Sequence, residues 1–145
     1  FPTRRSSDLM VTGGMPFMLA ELSARMVLSG AADTVRLASR MEIEAREEMV
    51  RLAFAGLDFV SHSHAPFIWM KLPDPWLSGT FRQAAFAEDI LIDDEDEFKA
   101  GRSEKTFYRV RISLSSPDSR ADVVAGLVRL RRLIAHGPTG YDSPA

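Results

Sequence analysis

The first helical stretch of the chain has too few polar positions for a helix that shows water one full face. Pro16 fits an opening helical turn, where a missing N–H costs nothing, and FMLAELSARMVLS then runs apolar nearly all round until Gly30. Such a helix has to be packed on several sides, so residues 10–30 are expected to lie against a larger neighbouring domain. The next segment is amphipathic. Asp33 is placed to cap a helix over 34–55, in which Val35, Ala38, Met41, Ala45, Met49 and Leu52 form one stripe. Glu42 with Arg46 and Glu47 with Arg51 are i,i+4 pairs in the favourable order, and Gly56 ends the helix.

The period then shortens. Residues 57–61 and 67–72 are short runs rich in aromatic and aliphatic side chains, joined through His62, Ser63, His64, Ala65 and Pro66, and they predict two strands with a tight connection. Pro73 and Pro75 break the chain, and a helix over 78–88 packs Phe81, Ala84 and Ala85. A short strand at 90–92 and an acidic loop follow. Residues 107–115 alternate, with Tyr108, Val110, Ile112 and Leu114 facing the core and Phe107, Arg109, Arg111, Ser113 and Ser115 facing away. Ser116 and Pro117 are expected as N-cap and first residue of a last helix whose stripe is Val124, Leu127, Leu130 and Ile134, with Arg129, Arg131, Arg132 and His136 in its final turns. Gly137 and Pro138 stop it, and residues 138–145 form a tail. This order predicts an α+β domain over 31–137, a small antiparallel or mixed sheet covered by helices in two layers.

Composition narrows the class. The 145 residues are 46% hydrophobic and 26% charged, with 18 basic and 20 acidic side chains and a net charge of -2. A chain of this length buries enough surface to need no disulfide or metal. With no cysteine, thiol nucleophiles, thiolate metal sites and redox switches are excluded. No apolar run approaches the ~20 residues of a membrane span, and the near-neutral charge argues against a generic nucleic-acid surface. Residues 1–9, FPTRRSSDL, carry no periodicity and resemble translated adapter sequence, so they are expected to be non-native, with the natural sequence starting near Met10.

Arg111 is the sharpest candidate for chemistry. It projects with Arg109 from the polar side of a rigid strand, and an arginine fork so held suits a carboxylate or phosphate. The same pattern fits a solvated edge or a structural ion pair. The acidic run at 93–97 lacks the glycine and spacing of a calcium loop and reads as a solvated loop. His62 and His64 lack a third zinc ligand and read as turn residues. There is no glycine-rich phosphate loop, GxSxG elbow or HExxH helix. None of the three lysines, Lys71, Lys99 and Lys105, is placed for the burial that lowers a Schiff-base lysine's pKa.

The succession PFMLAELSARMVLSGAADTVRLASRMEIEAREEM, HAPFIWMKLP, FRQAAFAEDILI, EFKAG and YRVRISLSSPDSRADVVAGLVRLRRL resembles the C-terminal part of the pyridoxal-phosphate-dependent aminotransferase fold. It is most similar to the aminotransferase-like domain of MocR-type, GntR-family regulators, over residues 11–134, through the order and spacing of individually weak motifs. The resemblance implies a small C-terminal domain preceded by interdomain helices. It also implies a cytoplasmic, homodimeric parent that senses an amino acid or amine through pyridoxal phosphate and reaches DNA only through an upstream winged-helix segment. Within VRISLS it assigns Arg111 to the α-carboxylate of the substrate or effector, while Trp69 in WMKLP is read as packing. Relatives often have a Pro-Gly turn before the aromatic at Phe98, where this chain has Asp94 and Glu95, which implies a differently shaped loop. The Schiff-base lysine, the partner of the pyridine nitrogen and the phosphate-binding residues lie upstream in the family. The chain is therefore expected to be a truncated piece without catalytic, cofactor-holding or metal-binding residues of its own. A stand-alone amino-acid aminotransferase remains an alternative for the parent, and an unrelated module binding an anion on the Arg109 and Arg111 face remains an alternative for the chain.

Overall fold

The computed structural model describes residues 16–99 and 105–138. Residues 1–9 and most of the predicted tail lie outside them. The chain divides into two compact units, 1–40 and 41–145. In the first, helix α1 (Phe17–Leu28) buries none of its residues, and Phe17, Met18, Leu19, Leu22, Val27 and Leu28 are all exposed. Gly30, at φ +77°, turns the chain, and its carbonyl accepts the Thr34 N–H at 3.3 Å, which starts helix α2 (Ala31–Ala53). Asp33 is therefore not the predicted cap. It lies inside the first turn, where Oδ1 accepts from Arg36 at 2.9 Å.

The second unit contains the rest of α2, strands β1 (Phe59–Val60), β2 (Phe67–Lys71), β3 (Asp93–Asp94) and β4 (Arg109–Ser113), helices α3 (Ser78–Ala87) and α4 (Arg120–His136), and a 3₁₀ turn (Glu95–Phe98). The fold is α+β, as the element order predicts. The sheet is antiparallel throughout, in the order β1-β2-β4-β3. Ile68, Met70, Val110 and Ile112 form its core face, packed with Val50 and Phe54, Phe81 and Ala85, and Val123, Leu127 and Leu130. Each fully buried Val, Leu, Ile, Met or Phe side chain among them contributes roughly 1.5–3 kcal/mol. Among the described residues no helix is long and apolar enough to cross a membrane.

Several predicted details are displaced. The inward face of α2 is Ile43, Arg46, Glu47 and Val50, while Val35, Met41 and Leu52 of the predicted stripe are exposed. A search for apolar stripes misses this face because two of its members are charged and satisfied by bonds to other segments. Glu47 Oε1 accepts from Ser61 Oγ at 2.6 Å, and Arg46 Nη1 donates to the Leu114 carbonyl at 2.7 Å. Helix α4 begins three residues after the predicted start. Ser119 and Asp122 form a capping box, and Arg46 Nη1 holds the Pro117 carbonyl outside the helix at 2.8 Å. On α4 the buried residue is Val123 and not Val124, since a spacing of three or four serves either. Gly137, at φ +73°, ends α4 as expected.

The strand predicted at 90–92 forms at Asp93–Asp94 instead, so the acidic run is not the solvated loop that its charge implied. Asp94 caps the 3₁₀ turn through the Asp96 N–H at 3.0 Å and pairs with Arg82 at 3.0 Å. Glu95, 5% exposed, accepts the N–H groups of Phe107 and Tyr108. Those bonds hold Tyr108 at φ +54°, a conformation unfavourable for a side chain of that size, so the strand alternation starts only at Arg109 and Tyr108 points outward.

Candidate carboxylate site

The site is a row across the sheet. Register places Trp69 of β2 and Asp93 of β3 directly opposite Arg111 of β4, one on either side, and directly opposed residues share a face. That face points away from the core, because Val110 and Ile112 take the alternate positions of β4. Arg111 is held from two directions. Its Nε and Nη2 converge on one oxygen, Asp93 Oδ2, at 2.9 and 2.6 Å. Its guanidinium carbon lies 4.4 Å from the ring centre of Phe98 and 5.5 Å from that of Phe67, within reach of a cation–π contact. Trp69 meets the Phe98 ring edge-on at 5.1 Å, so it packs the aromatic that packs the arginine.

This arrangement leaves binding capacity. The Arg111 side chain retains 32% of its exposure, and among the described residues Nη1 donates to no acceptor and Asp93 Oδ1 accepts from no donor. A guanidinium carries five N–H donors. With two used on Asp93, the Nη1 end remains available for an anion. Of the two options the sequence left beside a ligand site, the structural ion pair is present and the simple solvated edge is not. Arg109 shares the outward face, but its cross-strand partner is Lys71 and β3 does not reach its level, so the two arginines do not converge on one point.

The other candidates separate from this row. His62 and His64 lie in the connection between β1 and β2, where His64 Nε2 approaches Glu44 at 3.1 Å, and they are turn residues as read. Among the described residues no group of three His, Asp or Glu side chains could hold a metal ion. Lys99 bonds Asp96 at 2.5 Å, and this bond, aided by the charges of Asp96 and Glu95, raises its pKa, the opposite of what a Schiff base requires. Lys71 is exposed at the end of β2, and Lys105 lies 5.1 Å from the ring centre of Phe107. This set of amines does not fit a covalent seat for pyridoxal phosphate.

Asp93 is the member of the row that sequence reasoning missed. Placing the strand at 90–92 left it in a loop. The available signal was a possible strand register in which an acid falls opposite the arginine of β4.

No family model matches the sequence. The chain is 27% identical over 119 residues to an uncharacterised HTH-type transcriptional regulator, YdeF, of Bacillus subtilis (strain 168), a match covering 81% of this chain and 25% of the regulator. Among solved structures it resembles LysN, an α-aminoadipate aminotransferase from Thermus thermophilus complexed with N-(5'-phosphopyridoxyl)-L-leucine. There the TM-score is 0.66 at 20% identity, covering 82% of this chain and 30% of LysN. An archaeal alanine:glyoxylate aminotransferase gives a TM-score of 0.56 at 16% identity, covering 68% of this chain and 24% of that one. The chain thus spans less than a third of each of these proteins and has the fold of an aminotransferase C-terminal domain.

Proposed function

We propose that this chain is the C-terminal domain of a transcriptional regulator that senses an amino acid or amine through pyridoxal phosphate, and that Arg111 binds the ligand's α-carboxylate. The observation that carries the ligand role is the cradled arginine itself: a guanidinium on a strand, backed by Phe98 and Phe67, with its Nη1 end open. The match to an HTH-type regulator across most of the chain supports the regulatory parent over a stand-alone aminotransferase. The unburied α1 supports the reading that the segment 10–30, which contains it, packs on the parent's large domain. In the parent, pyridoxal phosphate supplies the covalent chemistry toward the amino group and is held by upstream residues. DNA contact falls to an upstream winged helix, the parent acts as a homodimer in the cytoplasm, and this chain contributes one wall of the ligand site.

The test is titration of the full-length parent with its amino-acid effector. Arg111→Ala is expected to weaken binding by about 2–4 kcal/mol, since a charge-assisted arginine contact is lost and Asp93 is left without its partner. Arg111→Lys should recover only part, because an ammonium cannot reproduce the fork. Arg109→Ala is the control, two residues or roughly 6–7 Å along the strand. Equal losses for the two alanine variants, or none for Arg111→Ala, would refute the assignment.

A further inference from the structure

On the reading of Arg111 as a carboxylate site, we propose that Asp93 is the residue that sets its specificity: a built-in carboxylate that occupies the Nε–Nη2 edge, confines a ligand carboxylate to the Nη1 end, and neutralises the site before the ligand arrives. Three observations support this. First, β3–β4 pairing sets Asp93 and Arg111 directly opposite each other, so the pair is held by backbone geometry and does not depend on two flexible side chains meeting. Second, both nitrogens converge on Oδ2 alone. The side-on edge, which would otherwise grip a ligand carboxylate bidentately, is taken, while Oδ1 keeps its full accepting capacity toward a ligand. Third, Phe98 and Phe67 lie over the guanidinium, which limits its freedom to turn a different edge outward.

The consequence concerns ligand charge. A ligand carboxylate at Nη1 comes within several ångströms of the Asp93 carboxylate, and repulsion at that distance in a partly solvated site weakens binding by about tenfold. A ligand that brings a positive group beside its carboxylate offsets this by facing Asp93 Oδ1. The site is therefore matched to carboxylates that carry a positive group alongside and disfavours simple acids such as acetate.

The experiment is an NMR titration of the 145-residue chain with acetate as probe, following the Arg111 Nε–Hε resonance and the β4 amides. Asp93→Asn is expected to bind acetate about tenfold more tightly than the unsubstituted chain. Asp93→Glu, which keeps the charge, should stay close to the value of the unsubstituted chain. Asp93→Ser, with dispersed amide signals as the check of folding, gives the same reading as Asp93→Asn should the amide perturb β3. Arg111→Ala should abolish the response in every background. Unchanged acetate affinity in Asp93→Asn and Asp93→Ser, with Arg111→Ala still abolishing it, overturns the role of Asp93 alone. A response that survives Arg111→Ala overturns the carboxylate reading of Arg111, and the role of Asp93 falls with it.

Discussion

Replacing Arg46 with methionine tests the buried arrangement that joins α2 to the segment between β4 and α4. Arg46 is 7% exposed. Its Nε donates to Glu42 Oε1 at 2.8 Å, and its Nη1 donates to the Leu114 and Pro117 carbonyls at 2.7 and 2.8 Å. Methionine keeps most of the apolar stem and removes every donor. The Leu114 contact is buried, so that carbonyl is left without a partner at a cost of about 1–3 kcal/mol. The Pro117 contact is only partly buried, and water can replace it at a smaller cost, while Glu42 retains Arg120 at 2.7 Å. The expected loss is about 3 kcal/mol, a large share of the roughly 5–15 kcal/mol typical of a whole domain. Urea unfolding followed by the fluorescence of Trp69 and Trp76 measures it. With a slope of about 1–3 kcal/mol per molar urea, the midpoint should fall by about 1–3 M at unchanged slope. Arg46→Lys should lose most of this as well, since one ammonium cannot span both carbonyls and Glu42. A midpoint shift below about 0.3 M for Arg46→Met would show that the two carbonyls find other partners, and the reasoning from burial would be wrong.

Two further outcomes follow from the same structure. Hydrogen bonds from Arg120 and then Arg46 hold the Glu42 carboxyl at about 2, below its ordinary 4.5, so its contribution to stability is full above pH 4.5 and is lost as pH falls toward 2. Thermal melts between about pH 5 and pH 2 should therefore decline less steeply for Glu42→Gln than for the parent sequence, and parallel curves would refute the linkage. Ser119→Ala removes the acceptor that caps α4 and should cost about 1 kcal/mol, seen as a lower melting temperature, while Pro117→Ala, outside the helix, should not reproduce that loss.

The sequence by itself determined the element order, the α+β class and the inward alternation of Val110, Ile112 and Leu114, because strand and helix periods are local properties of the chain. It also singled out Arg111, whose outward projection follows from that alternation alone. What it could not resolve depended on partners distant in the chain. The inward face of α2 includes Arg46 and Glu47 because carbonyls and a hydroxyl from other segments satisfy them, and an apolar pattern carries no trace of such partners. The acidic run became a strand and a 3₁₀ turn because Arg82 and the N–H groups of Phe107 and Tyr108 absorb its carboxylates. Asp93 joined the site only through β3–β4 register, since strand pairing between residues eighteen positions apart is decided by packing of the whole sheet and leaves no local mark.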